Sequence, residues 1–156
     1  MSTRALGPLL MLCGAGSVFA QSPAPIQPAA PSPPSAGQVA TQFTQEKLAV
    51  WQQRLKLDDW KISISMKRLS ELPPKTLGGI RWDKKRKTAV MWILDAADYR
   101  LPVAKMLDDM ELTIVHELVH LDLAALPRGE ASRSTEEQAV NGIAQAMLAL
   151  ERSKSE

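Results

Sequence analysis

The chain contains two histidines, and they stand four residues apart in His116-Glu117-Leu118-Val119-His120. The preceding run, Met106 to Val115, has no Gly or Pro and is rich in Leu, Met, Glu and Asp, so it predicts a helix with the motif well inside it. That helix begins near Leu101 or Pro102, where proline is tolerated in a first turn, and ends before Pro127. On a helix, positions i and i+4 lie about 40° apart, and both imidazoles project from one face. Two neutral ring nitrogens so placed can hold one zinc ion at about 2.0–2.1 Å each. Glu117 lies between them, positioned to take a proton from a water on such an ion but too constrained to be an easy ligand. Leu118 and Val119 point to the opposite side and anchor the helix in an apolar core.

A catalytic zinc site has three protein ligands and an open position. With no further histidine, and with the one cysteine (Cys13) in the N-terminal leader, the third ligand has to be a carboxylate. The candidates are Asp122, Glu130, Glu136, Glu137 and Glu151. Asp122 falls about 200° round the helix from His120 and faces away. Glu130 sits in a loop opened by Pro127 and Gly129. The pair Glu136-Glu137 begins a last helix, with Ser134 or Thr135 as N-cap and Ala139, Ile143, Ala144, Met147 and Leu150 at helical spacing. Acidic residues are also favoured at that position by the helix dipole, so the residues themselves leave the choice between the two open.

A helix with H-E-x-x-H, a short connection and a second helix donating a glutamate resembles the gluzincin metallopeptidases. In size the chain is closest to their compact minigluzincin members. In that group the ligand glutamate is often followed four residues later by Asp or Asn. Here Glu137-Gln138-Ala139-Val140-Asn141 fits, and the resemblance selects Glu137 as third ligand, with Asn141 buttressing a histidine. It further implies Zn²⁺ as cofactor, a peptide or protein as substrate, and Glu117 as general base for peptide-bond hydrolysis. Larger relatives stabilise the tetrahedral intermediate with a separate His or Tyr. This chain offers only Tyr99, with Arg128 as a further candidate. The alternative expectation is a zinc-binding interaction domain of the same fold that does not turn over.

The first residues read as a signal peptide, 1–20: Arg4, an apolar stretch from Ala5 to Ala20, and Val18-Phe19-Ala20 as cleavage site. Export to a periplasm or to the outside follows, with no stable membrane insertion after cleavage and no cysteine left for a disulfide. Residues 21–37, rich in Pro, Ala and Ser, read as a linker, and 38–156 as a single domain. Its expected class is α+β: an N-terminal helix, a small three-stranded antiparallel-type sheet, then two C-terminal helices carrying the metal site. Val39 to Leu57 is the first helix, with Phe43, Leu48, Trp51 and Leu55 as its buried stripe. Trp60 to Met66 alternates as a half-buried strand, and Leu77 to Trp82 with Thr88 to Leu94 forms a hairpin. Trp82 and Trp92 can pair across it. Lys84 to Lys87 at its tip reads as a solvated turn. A net charge of +2 and the lack of interleaved aromatics give no ground for a nucleic-acid partner. From the resemblance, the strand Thr88 to Leu94 is nominated as the edge that pairs with extended substrate.

Overall fold

The computed structural model describes residues 33–126 and 133–154. The expected signal peptide, most of the expected linker, and the positions of Arg128 and Glu130 lie outside the described residues.

Ser35 starts the first helix, α1 (Ala36–Arg54), through a capping box: its Oγ accepts from the Gln38 N–H and its own N–H donates to Gln38 Oε1. The helix therefore begins inside the stretch expected to be linker. Leu48 and Trp51 are buried as expected, but Phe43 and Leu55 are only half-buried, and Ala40 and Thr44 take their places in the core. Thr44 can do so because its hydroxyl donates to Ala40 O at 2.9 Å.

Three strands follow, β1 (Lys61–Lys67), β2 (Gly78–Asp83) and β3 (Thr88–Leu94), in the order β1-β3-β2. The expected hairpin is β2–β3, antiparallel, with Lys84 to Lys87 in its exposed turn. The sheet is mixed rather than antiparallel, because β1 pairs with β3 in parallel, Lys61 opposite Thr88. The chain leaving β1 passes beyond its neighbour's place before β2 forms, so the returning strand β3 is inserted between them and runs the same way as β1. Two expectations change with this order. Strand β3 is central and has no free edge. Trp82 stands opposite Ala89 and Trp92 opposite Gly79, so the two indoles lie on opposite faces and do not pair.

Helix α2 (Val103–Asp122) lies on the sheet, flanked by α1 and by the last helix, α3 (Arg133–Ser153). Met110, Ile114, Val115 and Leu118 are wholly buried among Met91 and Ile93 of β3 and Val140 and Ala144 of α3. The apolar stripe of α3 runs through Val140, Ala144 and Leu148. The expected Ala144 belongs to it and Met147 is half-buried, whereas Ala139, Ile143 and Leu150 face solvent. The stripe is thus rotated onto the face that carries Glu137 and Asn141. Helix α1 is fastened to α2 by the buried Glu111, which accepts from Trp51 Nε1 at 2.9 Å and pairs with Lys47 at 2.8 Å. Burying that carboxylate is tolerable because both partners are present.

Gly78 and Gly79 let β2 approach its neighbours. A Cβ on Gly78 would lie 2.4 Å from Thr113 Cγ2 and 2.8 Å from Trp92 O, and one on Gly79 would fall 2.5 Å from the Trp92 indole. Gly78→Ala is expected to cost about 1–3 kcal/mol, because a backbone carbonyl cannot step aside. A urea midpoint unchanged from the parent would contradict this. The turn leading to α2 is held by Asp98, which receives two hydrogen bonds from the Arg68 guanidinium and one from the Leu69 N–H. The side-chain bonds from Arg68 are the main cause that lowers its pKa to about 2. The stabilisation is therefore complete above the ordinary carboxylate range and is lost as pH falls through about 2. The stability gap between parent and Asp98→Asn, followed by urea unfolding against pH, should close over that interval.

Candidate metal centre

Two turns of helix face each other at the centre. His116 and His120 project from the stripe of α2 that also carries Asp109, Thr113 and Glu117, while Glu137 and Asn141 project from α3 one turn apart. The two Nε2 atoms stand 3.0 Å apart. Glu137 Oε2 is 3.4 Å from His116 Nε2, and Glu137 Oε1 is 3.4 Å from His120 Nε2. Donors held 2.0–2.1 Å from a tetrahedral ion are separated by about 3.3–3.4 Å, so the three groups are spaced as the edges of such a site. His116, His120 and Glu137 are close enough to hold one metal ion.

The far side of each ring has a partner of its own. His120 Nδ1 lies 3.2 Å from Glu136 Oε1, and a carboxylate can only accept, so in the neutral ring Nδ1 carries the hydrogen and Nε2 the lone pair. His116 Nδ1 lies 3.1 Å from Asn141 Oδ1, which fixes the same tautomer there. With both rings in that tautomer, two Nε2 lone pairs and a Glu137 carboxylate oxygen are turned toward one point, the donor set a metal ion takes. Burial, aided by the neighbouring His120, lowers the His116 pKa and favours the neutral ring that a metal needs.

Glu117 is buried, and that burial, followed by the charge of Glu137, raises its carboxyl to about 7. A divalent cation among the three donors would pull it back down. The residue opens onto a cleft of about 530 Å³ that runs between α2 and the segment Lys75 to Trp82 and reaches Glu137 and Asn141.

The other carboxylates weighed in the sequence are elsewhere: Asp122 is exposed beyond His120, and Glu151 pairs with Arg54 at 2.6 Å. Tyr99 gives its hydroxyl to Asp109 at 2.7 Å and does not line the cleft. Sequence reasoning treated Glu136 and Glu137 as rivals, whereas the structure brings both to His120, on opposite nitrogens. The signal was present: consecutive helical residues diverge by about 100° and so reach two sides of one ring.

No protein-family model matches the chain, no curated protein matches its sequence, and no solved structure matches its fold.

Removing Glu137 should abolish tight metal binding, whereas Glu136→Gln and Asn141→Ala should each weaken it by about 10–100-fold by freeing a ring. Competition with a chromophoric chelator measures all three. Equal affinities for parent and Glu137→Ala would exclude Glu137 as a ligand.

Proposed function

We propose that the chain is an exported zinc-dependent peptide hydrolase, with His116, His120 and Glu137 as ligands and Glu117 as general base. The observation that carries this reading is the convergence of His116, His120 and Glu137 at ligand spacing beside the buried Glu117 carboxylate, in a cleft bordered by a strand edge. Two imidazoles and one carboxylate at tetrahedral spacing suit zinc better than calcium or magnesium, which take oxygen ligands in larger number. When bound, zinc supplies Lewis acidity that activates a water and polarises the substrate carbonyl. Glu117 accepts the proton of the attacking water and returns it to the departing amine, a role open to it because its carboxyl faces the cleft beside the three donors. Glu136 and Asn141 hold the rings so that Nε2 faces the cleft.

Substrate backbone is held by β2 in this reading, in place of the nominated β3. Leu94 N–H donates to Leu77 O, so Leu77, Gly79, Arg81 and Asp83 spend their backbone groups on β3. Those of Gly78, Ile80 and Trp82 then point to the outer edge. These three residues line the cleft, and no strand pairs with that edge among the described residues. An extended peptide added there would lie alongside the metal.

A second reading, a zinc-holding domain without turnover, draws on the commitment of Tyr99 to Asp109, which leaves no tyrosine hydroxyl in the cleft. The two are separated by Glu117→Gln in the zinc-loaded chain. Hydrolysis of a peptide library should fall by about 10²–10⁴-fold while zinc stoichiometry stays at the parent value. Full activity in that variant would remove Glu117 from the mechanism. Retained zinc with no cleavage by the parent would establish the second reading.

A further inference from the structure

The cleft does not end at the metal. Along α2 it extends seven residues toward the N-terminus, from His116 to Asp109, whose side chain lines the cleft and also the adjoining groove formed with α3. Asp109 Oδ2 accepts the Tyr99 hydroxyl at 2.7 Å, while Oδ1 has no hydrogen-bond or ion-pair partner among the described residues. No partnerless side-chain oxygen is buried there, so Oδ1 is open to solvent. The cations of the groove are engaged with the neighbouring carboxylate, since both Lys105 and Arg152 pair with Asp108. Lys75, the one lysine lining the cleft, forms no ion pair with Asp109 among the described residues. Tyr99 is half-buried, and burial followed by its bond to Asp109 raises the phenol above its ordinary pKa, so it stays a donor and keeps the carboxylate oriented.

Resting on the peptide-hydrolase reading, we propose that Asp109 is a specificity determinant that selects peptides with a lysine or arginine about three residues from the scissile bond. The spacing follows from geometry. Seven helical residues rise about 10.5 Å, and an extended peptide covers about 3.4 Å per residue. Strand β2 and α2 run in the same direction, because Gly78 lies against Thr113 and the turn after β2 reaches Ala124, where the Lys84 ammonium donates to the Ala124 carbonyl. A peptide laid on the β2 edge therefore follows α2 from the metal to Asp109. A cationic side chain arriving there meets a carboxylate already fixed by Tyr99, with one oxygen free to accept.

The test uses the full chain loaded with zinc and fluorogenic peptides of one fixed sequence. Lysine is moved through the four positions on each side of the scissile bond, with norleucine as the neutral and glutamate as the acidic counterpart. The parent is expected to prefer lysine at a single position about three residues from the cleavage point, by about tenfold in kcat/KM. In Asp109→Asn, which can still accept from Tyr99, the ratio should fall to about one while zinc stoichiometry remains that of the parent. In Asp109→Lys the preference should turn toward glutamate at the same position. Cleavage with no lysine preference, or a preference that survives Asp109→Asn, overturns the assignment of Asp109 alone. A zinc-loaded parent that cleaves none of the peptides overturns the hydrolase reading, and this assignment with it.

Discussion

Helix α2 has to satisfy two demands with one periodicity. Most of its circumference is buried against the sheet, α1 and α3, and yet one stripe carries an aspartate, a threonine, a glutamate and two histidines. A step of about 100° per residue makes this possible, because residues four apart stay together while their immediate neighbours turn inward. Leu118 and Val119, between the histidines, are buried in the core, so the packing that stabilises the helix also fixes the direction of both rings. Losing a buried side chain such as Ile114 costs about 2–5 kcal/mol in comparable cores. The same loss would loosen the seating of His116, two residues further along the helix.

The polar groups follow the same economy. Glu111 and Glu117 lie on one helix, and both are buried, with opposite consequences. Glu111 has Trp51 and Lys47 to hold its charge and serves as a tie between α1 and α2. Glu117 has no such cation beside it among the described residues, and burial, followed by the like charge of Glu137, pushes its carboxyl up to about 7. Environment alone sets two identical side chains apart, one held as a charged tie and one with its carboxyl raised.

Much of this was legible in the sequence where the determinants are local. The three helices, the hairpin with its basic turn, and the meeting of His116 and His120 with a carboxylate of the pair Glu136-Glu137 follow from spacing, proline positions and capping residues. The family resemblance was needed to prefer Glu137 over Glu136 before the structure placed both. The parallel pairing of β1 with β3 was not legible, because strand direction depends on which side of β1 the chain passes, and Pro73-Pro74 marks a break without giving its direction. The stripe of α3 differs because the helix turns the face of Glu137 and Asn141 onto α2, which buries Val140, Ala144 and Leu148 and leaves Ile143 and Leu150 outside. Trp82 and Trp92 were expected to meet because they flank one turn, and a register that sets Trp92 over Gly79 separates them.

Helix geometry has one more consequence at the centre. Each helix contributes two groups one turn apart, His116 with His120 and Glu137 with Asn141, so the distances within each pair are set by a single turn of backbone. The metric of the centre is written in two five-residue words, HELVH and EQAVN. Only the separation of the two turns is left to the rest of the molecule, which a handful of buried side chains fixes. The candidate centre therefore depends on few positions: two short helical words and the buried side chains that hold them at one distance.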